Sequence, residues 1–244
     1  MNDRSNDTEG RLVRIERLLE SGGREVAPAW RRVTRGEPRW AVTAAILVAV
    51  ALQLKLPERL TLLPSWALPV LELVLLIGLV AANPRRVEPR NQRLRWLGLT
   101  LICVISLANG WAAAQLVTRL VHGTEGSDAT SLLLTGGNIW LTNVIVFALW
   151  YWEWDRGGPA DRMMGHHQYA DFLFVQMQSP ESAAPDWEPA FLDYLYLSFT
   201  NSTAFSPTDV MPLSRWAKML MMLQSTVSLV TVVLVVARAV NILQ

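Results

Sequence analysis

An all-α integral membrane fold is predicted by three features of the sequence. Just over half of the 244 residues are hydrophobic (51%) and the net charge is +1, yet the 21 acids and 22 bases avoid a few long apolar runs almost entirely. At 1.5 Å per residue, a run of about twenty residues crosses a hydrocarbon core of about 30 Å. The 11 Trp fall mostly at the ends of those runs, where an interfacial aromatic belt would place them. The expected architecture is a cytoplasmic N-terminal segment with an amphipathic helix (1–39), then three membrane helices with their loops (40–131). A unit of helix, acidic loop, short helix and helix follows (132–244). In all, four spans precede a re-entrant short helix and a final span.

Residues 1–10 are polar. RLVRIERLLESGG then carries Leu12, Ile15, Leu18 and Leu19 at helical spacing, with Arg11, Arg14, Arg17 and Glu16 opposite, and Gly22 and Gly23 stop it. This helix lies on an anionic membrane surface, sets a subunit number, or packs on the protein's own inner face; fewer than two heptads cannot sustain a coiled coil alone. Arg31, Arg32, Arg35 and Arg39 stand just ahead of the first run, which marks this end as cytoplasmic. No apolar stretch comes early enough to predict a secretory signal peptide.

The first span is read from Trp40 to about Leu56, and PERLTLLPS turns the chain. The second runs from about Trp66 to Ala82, and RRVEPRNQRLR after it holds five Arg against one Glu, a cytoplasmic loop by charge. Glu72 lies within this second span. If the helix starts near Leu62 the carboxyl is deep in the membrane and a functional candidate. If it starts at Pro69, Glu72 falls in the first turn, where the helix dipole favours it, and that reading is preferred. The third span covers Trp96 to about Val117, with Cys103 expected to pack as a small apolar residue and Ser106, Asn109, Gly110 and Ala113 as a helix-contact stripe. The fourth covers Leu132 to Trp152.

WYWEWDRGGP closes the fourth span. Residues 153–189 hold seven acids and two Arg without an apolar repeat, and Phe172 to Val175 suggest that part of this loop is anchored. The chain then runs through the apolar-aromatic segment FLDYLYLSF, too short to cross. Next comes a polar stretch with Thr200, Asn201, Thr203, Ala204, Phe205, Ser206, Thr208 and Asp209, and then a full-length helix. Irregular backbone at membrane depth survives only where protein or a water-filled cavity satisfies its amides. Gln224, Ser228 and Thr231 recur at helical spacing on the last helix, a polar stripe that faces either water in a pore or neighbouring helices. His166-His167 with Asp171 is too incomplete a ligand set for a metal, and a lone Cys103 excludes cysteine clusters. No catalytic signature, cofactor motif or nucleic-acid-binding charge is present, so no enzyme is expected.

From about Leu149 the chain resembles the helix–pore-loop–helix unit of potassium channels. YLSFTNSTAFSPTD stands where that family has its pore helix, filter and closing acid, with Ser198 matching a frequent pore-helix serine and Asp209 the acid. Where the family's two filter glycines belong, this chain has Ser206 and Thr208 around Pro207. A ladder of backbone carbonyls is therefore not expected here. Along its whole length the chain also resembles a bacterial family of small polytopic membrane proteins of unknown function, through Ser198-Phe199-Thr200, Asp209, Ser214-Arg215 and Val240-Asn241-Ile242.

These resemblances imply a multi-pass protein of the bacterial inner membrane, a homo-oligomer with a tetramer favoured. It would pass small ions, cations favoured, through a side-chain-lined constriction. Two alternatives stand beside it: a proton- or cation-coupled transporter using Glu72, and a non-conducting scaffold or sensor. Charge counting returns the acidic 153–189 segment to the cytoplasmic side, opposite to potassium channels, so the short helix is expected to enter from the cytoplasm.

Overall fold

The computed structural model describes residues 30, 33, 37–82, 92–124, 128–165, 169–203 and 209–243. The expected N-terminal amphipathic helix, most of the five-Arg loop, the His166-His167 pair and Ala204, Phe205, Ser206 and Thr208 lie outside them. The described residues are mostly helical, with one pair of three-residue strands.

Six helices carry the fold: α1 (Trp40–Gln53), α2 (Ala67–Ala82), α3 (Gln92–Val121), α4 (Ala129–Trp154), α5 (Phe191–Thr203) and α6 (Arg215–Leu243). Three of them, α3, α4 and α6, are apolar and long enough to cross a membrane; α1 and α2 are apolar but shorter. The surface agrees with lipid as solvent. Val70, Val74 and Ile77 on α2 and Met219, Met222, Val233 and Val240 on α6 are exposed. Apolar cover on this scale is not left facing water. The molecule is a helical membrane protein.

Local sequence explains the boundaries. On α1 the buried positions Ala41, Ala45 and Ala49 alternate with Val42, Ile46 and Val50, a small-residue stripe that lets neighbouring backbones approach. Asp128 caps α4 by accepting from the Thr130 and Ser131 amides at 3.1 and 3.3 Å. Gly136 of α4 is a contact requirement, because a Cβ there would sit 2.8 Å from the Val235 methyls of α6. At the other end of α4 the chain leaves through Arg156, Gly157 and Gly158, all with positive φ (52°, 80° and 102°). A Cβ on Gly158 would stand 2.7 Å from the Glu153 carbonyl oxygen, so the turn both needs and uses glycine.

After α4 a short helical turn (Pro159–Met163) leads to strand β1 (Phe172–Phe174), which pairs antiparallel with β2 (Val210–Pro212) in the register Phe172↔Pro212 and Phe174↔Val210. The aromatic run expected to be an anchor is that strand, and it ties the acidic segment to the entry of α6. One core cluster fills the middle and the end where α4 leaves and α5 begins, which the β1–β2 segment caps, with Tyr151, Phe172, Phe191 and Tyr194 fully buried. A second, with Leu60, Leu116, Leu132 and Val235, fills the opposite end.

Contacts across the sequence fix which ends lie together. Arg156 Nη1 donates to the Trp30 carbonyl (2.7 Å) and Arg39 Nη1 to the Leu79 carbonyl (3.1 Å). Trp152 Nε1 and the Phe191 amide both donate to the Glu37 carboxylate. The segment ahead of α1, the end of α2, the end of α4 and the start of α5 therefore share one end of the bundle.

Some expectations about single residues change. α2 starts at Ala67, so Glu72 is in its second turn and not in its first; the dipole explanation does not hold. Cys103 is exposed on α3 and is not a packing residue. Gly110 is exposed as well, with open space where a side chain would be, while Asn109 and Ala113 are buried as expected.

Candidate functional site

The short helix α5 lies against the middle of both α4 and α6, and polar side chains gather there. Ser198 Oγ donates to the Val144 carbonyl of α4 (2.6 Å), and Asn201 Nδ2 donates to the Met221 carbonyl (3.0 Å) and to Gln224 Oε1 (2.8 Å). Gln224 is the hub. Its Oε1 also accepts from the Tyr151 hydroxyl, and its Nε2 donates to the Ser198 carbonyl (3.0 Å), Ser198 Oγ (2.6 Å) and Ser202 Oγ (2.8 Å). One turn further, Ser228 Oγ donates to the Ser202 carbonyl (2.8 Å) and accepts from Trp140 Nε1 (2.8 Å).

The stripe Gln224, Ser228 and Thr231 is thus wholly inside one chain, at 0%, 1% and 3% exposure. Of the two faces open to it, the structure gives the one toward neighbouring helices. Asn201 belongs to the same cluster. Thr200 and Thr203 instead return their hydroxyls to carbonyls of their own helix, Tyr196 and Phe199 among them. Asp209 is exposed and accepts from the Tyr196 hydroxyl at 2.9 Å. Leu192, Tyr196 and Phe199 follow at helical spacing and are about half exposed, so α5 has one face spent on the bundle and one uncovered.

Glu72 sits apart from this cluster. It is fully buried, and among the described residues neither carboxyl oxygen meets a donor within hydrogen-bond distance; Gln53 faces it, but its own amide nitrogen is likewise unsatisfied there. An acid in that position is costly.

A second polar cluster lies above α5, between the end of α4 and β1, and sequence reasoning missed it. Asp155, fully buried, accepts from the Tyr194 hydroxyl (2.6 Å) and from the amides of Asp171 (3.0 Å) and Phe172 (3.4 Å), and pairs with Arg156 at 3.3 Å. Asp171 in turn accepts from the Arg156 amide (2.8 Å) and from Trp216 Nε1 of α6 (2.9 Å). Arg162 donates to the Trp152 and Asp155 carbonyls and stacks on the Trp152 and Tyr194 rings at 5.9 and 5.2 Å. The available signal was the clustering of acids, Arg and aromatics in WEWDRGG and FLDY. Among the described residues no group of three metal-ligating side chains comes together.

Glu37 lends this end a pH dependence. Burial pushes its carboxyl above the ordinary 4.5; the bonds from Phe191 and Trp152 and the charge of Arg162 pull it back, and Asp193 raises it further. A folded state that holds the proton more tightly than the unfolded one has this stabilisation in full below pH 4.5. It is lost as pH rises through the elevated folded value. The melting-point advantage of the native protein over Glu37→Gln should therefore shrink between pH 4 and pH 7. An advantage that stays flat or grows over that range would show that Glu37 is not a buried, proton-retaining group.

No family model, curated protein or solved structure matches this chain. The functional reading accordingly rests on the geometry.

Proposed function

We propose that the chain is a channel-like membrane protein that assembles around the outer face of α5 and passes small cations. In this reading α1 to α4 and α6 cross the bilayer and α5 is re-entrant. The supporting observation is the path of α5. It starts at the capped end, beside Glu37, and its thirteen residues rise about 20 Å. It stops where Ser202 meets Ser228, halfway along α6, and the chain is back at the capped end by Val210, paired with Phe174. A helix of that length, which leaves one end of the bundle, stops halfway along it and is followed within seven residues by a strand back at the same end, suits a pore loop.

The constriction is then built from the uncovered face of α5, with the exposed Asp209 favouring cations. The α6 stripe is not its lining, since Gln224 and Ser228 are engaged within the chain. A homotetramer would bring four such faces to one axis. Because the basic segments flank the end where α5 enters, that end is the cytoplasmic one.

Planar bilayers containing the purified protein should carry a cation-selective current whose selectivity falls in Asp209→Asn. Repeated absence of current from folded protein, or a current indifferent to this change, would sink the reading. A second reading, coupled transport, is favoured by the unpartnered Glu72 carboxyl. The same preparation in sealed vesicles would then show saturable uptake, without steady current, abolished by Glu72→Gln.

A further inference from the structure

Glu72 and Gln53 face each other between α2 and the end of α1 without completing the hydrogen bond that their side chains could form. Both are buried, at 0% and 4% exposure. Among the described residues the Gln53 amide nitrogen and both Glu72 oxygens lack partners. At 1.5 Å per residue, Glu72 stands about 8 Å inside the start of α2 at Ala67. The path of the chain shows which end this is. α1 leaves the capped end and α2 returns to it, where Arg39 donates to the Leu79 carbonyl. Gln53 and the 54–66 connection therefore lie at the opposite end, where Leu56 and Leu60 pack with Leu116 and Val235. A cavity of about 20 Å³ lies there, with Gln53, Thr61, Ser65 and Ala112 in its wall. It has room for one water molecule, and the Gln53 amide and two hydroxyls are its polar partners. Leu62 and Leu63 also line it and are about half exposed, so the cavity reaches the surface. Gln53 thus stands between this cavity and Glu72.

The surroundings of the carboxyl select the ion. A metal cation needs several oxygen ligands in place of its water shell. Among the described residues no three metal-ligating side chains come together, and the polar side chain that meets Glu72 is that of Gln53. A proton needs one oxygen. Without donors, the neutral acid is also far cheaper to bury than the carboxylate. α2 packs on α1 and α3, and among the described residues no charged group of either, or of α2 itself, acts on Glu72. Lys55, Glu58 and Arg59 of the connection are exposed.

We infer that Glu72 is a proton-carrying site that exchanges with water from the end opposite the cap, and that Gln53 donates to the carboxylate whenever the proton leaves. This names the ion and the side of access for the coupled-transport reading, and it rests on that reading only for what the proton drives. The unmade bond is the moving part. A turn of the Gln53 amide supplies the ionised acid with a donor, and the water-sized cavity behind it supplies the route.

A membrane-permeant carbodiimide, which reacts with protonated carboxyls, tests this on the full-length protein in lipid vesicles, with the modified residue located by peptide mass mapping. Glu72 should be modified at neutral pH, at a rate that falls as the bath turns alkaline. The orientation of the protein is read with an impermeant thiol reagent on Glu58→Cys. Alkaline buffer on the side of residue 58 should slow the modification, and alkaline buffer on the capped side should not. Gln53→Leu exchanges an unpartnered amide for a side chain of similar size, so it should keep the native unfolding midpoint. At alkaline pH its Glu72 should be modified about tenfold faster than in the native protein, because the ionised form has lost its donor. If this variant fails to fold, the side dependence of the native protein decides the matter. A rate independent of pH, no modification of Glu72 in folded protein, or control from the capped side would overturn the inference. So would a native rate in folded Gln53→Leu. Modification as expected in a protein without saturable uptake would sink coupled transport and leave the proton site standing.

Discussion

Asp155→Ala should cost the protein about 4 kcal/mol or more, enough to lower its unfolding midpoint by many degrees in detergent. The carboxylate is fully buried and has four partners: the Tyr194 hydroxyl, the Asp171 and Phe172 amides and the Arg156 guanidinium. Truncation leaves Arg156, itself 3% exposed, without its counter-charge. Breaking a buried pair from one side costs about 3–5 kcal/mol, and each abandoned backbone amide adds about 1–3. Against a typical total of about 5–15 kcal/mol this is a large share. Because β1 starts at Phe172, the loss should appear first as loosening of the cap, and limited proteolysis should cut within 159–189 while the helices remain intact. Asp155→Asn keeps the shape and one acceptor and should fall between. A variant Asp155→Ala that melts like the native protein would show that the cap is held by its aromatic packing alone.

Much of the bundle was legible because its solvent is so selective. A lipid-facing helix must be apolar for its whole length, so the runs from Trp96 to about Val117, from Leu132 to Trp152 and the full-length apolar run after Asp209 announce α3, α4 and α6 directly. That α5 is a short helix was legible too, since FLDYLYLSF is apolar yet too short to cross. The cap was not legible, because its order comes from pairings 15 to 40 residues apart, such as Asp155 with Asp171 and Tyr194, which follow no period. Glu72 was misplaced for a different reason. Pro69 resembles a helix start, but the backbone begins its helix at Ala67 and carries the proline inside its first turn, where the missing amide hydrogen is harmless.

The orientation of the α6 stripe is a point that the sequence leaves open, and it yields the sharpest test. Spacing alone allows Gln224, Ser228 and Thr231 to face water or protein. The bundle settles the matter with Tyr151 and Trp140 from α4 and Ser198, Asn201 and Ser202 from α5, which among them occupy the polar atoms of Gln224 and Ser228. Gln224→Leu removes five hydrogen bonds. At about 0.6 kcal/mol each in a membrane bundle this is roughly 3 kcal/mol. Tyr151 and Asn201 are also left as buried donors lacking the acceptor they shared. The expected result is a clear drop in the unfolding midpoint with α5 detached from α6, visible as new protease or thiol-reagent access to a cysteine placed at Ser202. Thr203→Val, on the uncovered side of α5, should leave the midpoint near native. The opposite pattern, a stable Gln224→Leu with altered ion passage, would mean that α6 turns its polar stripe to water, and the packing of α5 between α4 and α6 described above would be wrong.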